Sequence, residues 1–587
     1  MPGATYIRGK LVAQALSCGK LTMTDIDTCV RRVLELGKRV APLGIKENAP
    51  ENTVDTPETA ALLREIGSGG IVLMKNEKNV LPFSKEKSIA VIGPNGDFAA
   101  YSGGGSASLL PYYARTPLGG VQAQASDVKY ELGAPAWKEL PHISRLTRSK
   151  DDKPGLTMNV FLDPPSKKDR QSIDEVYVAN SYILLVDYKH PKIKDDHYYV
   201  ELSGTFTPTE TADYEFSLSV AGTGKVHVND QVVVDNETKQ RLGDAFFGSG
   251  SAEERGSIPL NKDTTYNILV TFGTLPTMTI RRPGATQFGA GGLRVGLTRK
   301  LSLKEELDRA VELAKSVDQV LICAGLNSEW ESEGYDRETM DLPPGSDELI
   351  SAVVAANPNT AVCIQSGTPV TMPWLSSVPA LIHAWYGGNE TGNAIADVVF
   401  GATNPSGKLP LSFPLRNEDN PAFLNYKSER GRTIYGEDVY IGYRFYDKTR
   451  RAVAFPFGHG LSYTTFDMSD LSVRDEGDDI AVTATVANTG DRDGAQVVQV
   501  YVAQQKPTIN RPPKELKGFR KVFVKSGAKK SVEIKINKKY AASFWDEGRD
   551  SWVMEKDTYD VLVGDSSQQT PLKDSFEVEQ TSWWRGL

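Results

Sequence analysis

The alternation of helical and short apolar segments, broken once by a long period-two stretch, most constrains this chain. Pro57 to Gly67 reads as a helix begun by Thr56. Ile71-Val-Leu-Met74 and Ile89-Ala-Val-Ile92 are apolar runs ended by turn signals. Such runs suit strands buried on both faces of a parallel sheet. The pattern resumes near Leu301, with helices expected over 303–317, 348–356 and 392–399 and strands over 320–324, 361–364 and 380–384. Between the two stretches apolar and polar residues alternate, as in Tyr199-Val-Glu-Leu-Ser, Tyr214-Glu-Phe-Ser-Leu-Ser-Val and Lys225-Val-His-Val. That period predicts an antiparallel β-domain inserted into an α/β domain.

The two ends differ from this middle. Helices are expected over 7–16 and about 24–38, the second with Thr24 as N-cap and Ile26, Val30, Val33, Leu34 and Val40 at helical spacing. Two helices are too little for a domain and look like the tail of something larger. Residues 415–455 are polar and irregular. From Phe466 to Val578 the period is two again, as in Ile480-Ala-Val-Thr-Ala-Thr-Val-Ala, which fits a β-sandwich. The expected divisions are 1–44, a linker over 45–57, an α/β domain in two parts over 58–119 and 297–415, the inserted β-domain over 120–296, a connecting segment over 416–465 and a sandwich over 466–587.

Composition excludes several classes. The net charge is −8 over 587 residues, which argues against a nucleic-acid partner. No run approaches the ~20 apolar residues of a membrane span. Cys18, Cys29, Cys323 and Cys363 form no CxxC pair, and six scattered histidines give no metal site. No cofactor is expected. No basic-then-apolar leader opens the sequence, so the chain as written is expected in the cytoplasm. The sequons at Asn236 and Asn389 then read as chance matches.

Two loops can carry chemistry. The first is Gly93-Pro-Asn-Gly-Asp-Phe-Ala-Ala-Tyr-Ser-Gly-Gly-Gly-Ser-Ala107, after the strand at 89–92. Its glycines allow close backbone approach to a ligand, although a flexible crossover explains them equally well. The second is Asn327-Ser-Glu-Trp-Glu-Ser-Glu-Gly-Tyr-Asp-Arg337, after the strand at 320–324. Ligands of open α/β sheets sit beyond the carboxyl ends of strands. Among Glu329, Glu331, Glu333 and Asp336, a carboxyl near like charges and an aromatic ring could have its pKa raised and serve as a general acid. A solvated acidic loop is the plainer account, but Trp330 and Tyr335 argue against it, and such rings suit sugar-binding surfaces. His383 reads as a core histidine with its hydrogen bonds satisfied, and His459 as a turn residue.

Taken in order, Val91-Ile-Gly-Pro-Asn95, Gly103-Gly-Gly-Ser-Ala107, Glu333-Gly-Tyr-Asp-Arg337, Trp385-Tyr-Gly-Gly-Asn-Glu390, Ala394-Ile-Ala-Asp397, Gly407-Lys-Leu-Pro-Leu-Ser-Phe-Pro414 and Phe455-Pro-Phe-Gly-His-Gly-Leu-Ser-Tyr463 resemble glycoside hydrolase family 3. The resemblance covers nearly the whole chain. It implies a multidomain α/β plus β fold: a remnant of a (β/α)8 barrel, an α/β sandwich domain interrupted by an antiparallel β-domain of protective-antigen-like type, and a C-terminal fibronectin type III-like β-sandwich. Gly204-Thr-Phe-Thr-Pro-Thr-Glu-Thr-Ala-Asp-Tyr214 carries the protective-antigen likeness, and Asn488-Thr-Gly490 the fibronectin one.

The resemblance also implies a retaining β-glucosidase that releases terminal β-glucosyl residues from oligosaccharides or aryl glucosides. By motif position Glu333 is its acid/base, with Glu331 as fallback. The family's nucleophile is an Asp of the preceding barrel, and its Ser-Asp-Trp-like stretch has no counterpart here. Met1-Pro2-Gly3 resembles the end of a family segment downstream of that nucleophile. A noncatalytic carbohydrate-binding or scaffold protein is therefore the competing reading. Phe246 and Phe247 are candidates for an aromatic wall beside the leaving-group sugar, with packing inside the β-domain slightly preferred. The expected partner is a small β-glucoside or oligosaccharide, with no nucleic acid or membrane, and homo-oligomerisation left open.

Overall fold

The computed structural model describes residues 9–46, 48–50, 52–109, 111–186, 188–194, 197–243, 245–274, 291–333 and 336–585. The chain falls into two units, Met1–Thr59 and Ala60–Leu587.

The first unit holds the helices Lys10–Ser17 and Met23–Val40, followed by a single 3-10 turn, Ala41–Leu43. The N-cap of the longer helix lies two residues earlier than its spacing predicts. Thr22, not Thr24, is the N-cap, and a capping box joins it to Asp25. The Thr22 hydroxyl accepts from the Asp25 N–H, and the Asp25 carboxylate accepts from the Thr22 N–H at 2.8 Å. Neither helix has a buried residue.

The second unit contains a six-stranded sheet in the order Val72–Asn76, Ala380–His383, Thr360–Gln365, Gln319–Gly325, Ile89–Ile92, Val128–Glu131. Every neighbour pair is parallel except the first. The run at 71–74 therefore supplies an antiparallel edge strand rather than a parallel one. Val128–Glu131, expected beyond the boundary at 120, pairs with Ile89–Ile92 and belongs to this sheet.

Alternation along the strands explains the two layers. Val320, Ile322 and Ala324 face one core with Leu349, Ile350 and Val353 of the helix Ser346–Ala356. Leu321 and Cys323 face the other with Ile395, Val398 and Val399 of the helix Thr391–Val399. Both faces are covered, so the central segments Ile89 to Ile92, Val320 to Ala324 and Ala361 to Ile364 are apolar at every position.

Between Val128–Glu131 and the helix Leu303–Lys315 the chain builds two antiparallel sheets. One has seven strands and runs from Gln231–Asn236 at one edge to Ser172–Val178 at the other. The second has four, in the order Glu254–Leu260, Ala212–Ala221, Gly292–Arg299, Tyr182–Leu184. They share a core that includes Leu202, Phe216, Leu218, Val270 and Leu297. Asn236 is fully buried there and donates to the Leu218 carbonyl at 2.7 Å, which closes that sequon to modification in the folded chain.

The C-terminal region is a sandwich of a three-stranded and a four-stranded sheet around Val482, Val500, Ile534, Tyr559 and Val561. The connecting segment is less irregular than its composition predicts. It contains the helix Tyr443–Thr449 and the strand Val453–Phe455. Tyr443 ties it to the sandwich, accepting from the Leu516 N–H at 2.8 Å.

Candidate active site

Two strands of the parallel sheet deliver the two loops singled out in the sequence to the same sheet end. Ile89–Ile92 ends at Gly93, whose φ of 115° belongs to glycine. A Cβ there would lie 2.3 Å from the Cys323 carbonyl oxygen. Asn95 joins the neighbouring strand ends, its N–H donating to Cys323 O and its side-chain amide to Leu326 O, each at 3.2 Å.

The glycine loop then packs against the acidic loop. The Gly104 N–H donates to the Glu331 carbonyl at 2.9 Å. A Cβ at Gly104 would meet Ser328 O at 2.5 Å, and one at Gly105 would meet the Glu333 Cβ at 2.4 Å. The Ser106 N–H donates to Glu333 Oε2 at 2.8 Å. The glycines are there for the carboxylate loop: they let backbone donors reach it.

The four carboxylates separate into distinct roles. Glu329 faces Arg294, whose Nη2 donates to Oε1 at 2.6 Å, and burial raises its pKa. Glu331 accepts from the Gly367 N–H at 2.6 Å and from the hydroxyls of Thr368 and Tyr386. Tyr386 is pushed upward by burial and by the carboxylate beside it, so it stays a donor. Glu333 is exposed, and the hydroxyl and N–H of Ser106 hold its carboxyl below the usual value. Asp336 is exposed.

The raised pKa expected of a general acid thus falls on Glu329, not on Glu333. The reason is local: Glu333 lies in solvent with donors aimed at its anion, and both effects favour the charged form. Trp330 is part-buried, its indole donating to the Ala136 carbonyl at 2.8 Å and its ring packing on the sheet core. It braces the loop. Tyr335 lies outside the described residues.

The remaining candidates are placed as follows. Phe246 is 3% exposed and stacks on Tyr182, centroids 5.4 Å apart, so it packs inside the β-region rather than offering a face. The side chain of Phe247 lies outside the described residues. His459 is a turn residue, its Nε2 2.8 Å from Met74 O. His383 is buried as expected, but neither ring nitrogen has a hydrogen-bond partner among the described residues. Asp397 is held by a bidentate Arg64 at 2.5 and 2.6 Å and by Gln124 at 2.8 Å.

Several residues that shape the site are invisible to motif reading. Thr368, Gly367 and Arg294 carry no pattern of their own. The one available signal was a lone Arg294 inside the apolar run Leu293 to Leu297. Among the described residues no group of three or more His, Cys, Asp or Glu side chains could hold a metal ion, and no helix is long and apolar enough to cross a membrane.

Comparison with known proteins is consistent along the chain. Residues 71–463 match the glycosyl hydrolase family 3 C-terminal domain, and residues 496–567 a fibronectin type III-like domain. Over its whole length the chain is 52% identical to "Probable beta-glucosidase I" of Neosartorya fischeri, spanning 71% of that protein. It is 50% identical to the Aspergillus niger protein of the same name, spanning 73% of it. Among solved structures, a beta-glucosidase from Kluyveromyces marxianus in complex with glucose aligns over all of this chain and 71% of its own, at 42% identity and TM-score 0.91. The beta-glucosidase DesR of Streptomyces venezuelae, in complex with D-glucose, aligns over 97% of this chain and 66% of its own, at 27% identity and TM-score 0.67.

Proposed function

We propose that this chain, which belongs to glycosyl hydrolase family 3, is the acid/base-bearing part of a retaining β-glucosidase, with Glu333 as the acid/base. One observation supports that assignment above the others. Of the loop's three glutamates, Glu329 and Glu331 are engaged by their neighbours, while Glu333 is both exposed and held in place by the Ser106 N–H.

The chemistry follows from a pair of carboxylates ~5–5.5 Å apart. A nucleophilic carboxylate attacks the anomeric carbon while Glu333 gives its proton to the departing glycosidic oxygen. Water then attacks the glycosyl ester as Glu333 takes the proton back, and β-glucose leaves with its configuration retained. Glu333 by itself prefers to be ionised. A nucleophile anion beside it raises its pKa before the first step, and esterification of that anion removes the effect before the second. The reading therefore assigns the nucleophile to a (β/α)8 barrel, with Lys10–Ser17 and Met23–Val40 as closing helices of that barrel. It assigns the two sheets between residues 147 and 299 to a protective-antigen-like domain flanking the leaving-group side.

The test is hydrolysis of 4-nitrophenyl β-glucoside by the chain joined, ahead of residue 1, to a family barrel. Glu333→Gln is expected to lose about 10²–10⁴-fold in kcat, because 4-nitrophenolate leaves with little help but water attacking the glycosyl ester no longer has its general base. Added azide should restore turnover, and Glu331→Gln should lose less. Full activity in Glu333→Gln would overturn the assignment, and an inactive joined chain would favour the noncatalytic reading.

A further inference from the structure

Arg294 lies on the strand Gly292–Arg299 of the β-region and is 3% exposed. Its guanidinium faces three carboxylates: Nε lies 3.0 Å from Glu139 Oε2, Nη1 3.6 Å from Glu253 Oε1 and Nη2 2.6 Å from Glu329 Oε1. The first two are themselves held. Ser219 Oγ donates to Glu139 at 3.1 Å, while Glu253 accepts from the Leu140 N–H at 2.8 Å and from Arg255 at 2.6 Å. Glu329 is the odd member, because it belongs to the acid/base loop and precedes Glu333 by four residues. Its own N–H is turned onto Asn327 Oδ1 at 2.9 Å. Trp330, next in sequence, is tied to Ala136 O in the same neighbourhood.

We propose that Arg294 and Glu329 form a clasp by which the β-region positions the acid/base loop, so that Glu329 is a positioning residue for proton transfer by Glu333. The inference rests on the reading of Glu333 given above. Burying a guanidinium is costly unless its partners are close and well oriented. Here the shortest of the three contacts, Nη2 to Glu329, forms only when the loop is in place, so one loop geometry is selected. A displacement of about 1 Å at a reacting group costs about 10²-fold in rate. Glu329 is part-buried against Arg294 while Glu333 is exposed, so the effect of Glu329 is assigned to the loop rather than to contact with substrate.

Leaving-group dependence separates positioning from plain stability. Expulsion of 2,4-dinitrophenolate needs no proton, whereas expulsion of an alcohol does. The experiment measures kcat/KM of the barrel-joined chain on 2,4-dinitrophenyl β-glucoside and on methyl β-glucoside. Glu329→Ala is the first variant, since Arg294 keeps Glu139 and Glu253 and no buried charge is orphaned. It is expected to lose about tenfold or more on the methyl glucoside and less than about threefold on the dinitrophenyl one. Equal losses on both substrates, or no loss on either, would overturn the clasp. Glu333→Gln runs alongside. If it shows no leaving-group dependence, the acid/base assignment fails and the clasp with it. If it does and Glu329→Ala does not, only the clasp fails. Should Glu329→Ala not fold, Arg294→Lys, which keeps the charge but loses the fork, is judged by the same ratio.

Discussion

His383 shows what one buried residue does to the acid stability of the whole sheet. It is 0% exposed, and Trp385 and Phe413 pack edge-on against it with centroids 4.0 and 5.4 Å away. Burial outweighs the nearby backbone groups of Ile364 and Ser366 and depresses its pKa to about 3. An unfolded histidine titrates near 6.5, so below that pH the unfolded chain binds a proton that the folded chain refuses. Stability from this site is complete above pH ~6.5 and falls as the pH drops towards 3, by up to about 1.4 kcal/mol per pH unit. His383→Leu fills a similar volume with nothing to protonate. Between pH 7 and pH 5 the parent chain is expected to lose about 2 kcal/mol more than the variant, read from urea midpoints at the two pH values. Parallel losses in the two proteins would show that His383 is protonated in the fold.

At the scale of elements, the site is an agreement between two loops that neither loop encodes alone. Gly105 has φ 76° and no room for a Cβ against Glu333, so the glycine loop and the acidic loop constrain each other. Gly105→Ala must displace one of them. In the barrel-joined chain the expected result is a loss of about 10²-fold in kcat/KM on methyl β-glucoside, with a stability change of only about 1 kcal/mol by thermal melting. An unchanged kcat/KM would mean the loop yields without moving the carboxylate. The same agreement explains what the sequence could and could not disclose. Strand and helix segments of the α/β domain were legible because Leu321 to Ala324 and Ala361 to Ile364 are apolar at every position, which only a doubly covered sheet demands. The carboxylate loop was legible because it follows such a strand. The edge strand Val72–Asn76 was misjudged because direction leaves no mark in so short a run. The division of labour among Glu329, Glu331 and Glu333 was also hidden. It depends on Arg294, Tyr386 and Thr368, which approach from other strands and loops, 35 to 55 residues away. The N-cap lies two residues before the expected one because Thr22 and Thr24 are equally good cap residues, each followed three residues on by an aspartate, Asp25 or Asp27, and the fold uses the first pair.

At the scale of the molecule, the two units rest on different kinds of stability. The sheet strands Gln319–Gly325 and Thr360–Gln365 are buried along their full length. The helices Lys10–Ser17 and Met23–Val40 bury nothing, and Met23, Val33, Leu34 and Leu36 are each more than 60% exposed. What stabilises the longer helix is local: a capping box at its start and Lys38 and Arg39 in its last turn. Such terms are worth about 1 kcal/mol each, and an isolated helix of this length is marginal in water. Amide hydrogen exchange should therefore split the chain. Residues 10–40 are expected to exchange within seconds, while the two sheet strands stay protected for hours, because they open only with the domain. The exposed stripe also suits burial against a further layer. Joined to a family barrel, the same helix is expected to gain protection over residues 23–40, with the sheet strands unchanged. Protection of residues 10–40 equal to that of the sheet in the chain alone would mean that these helices are held without a barrel, and that the barrel assignment should be abandoned.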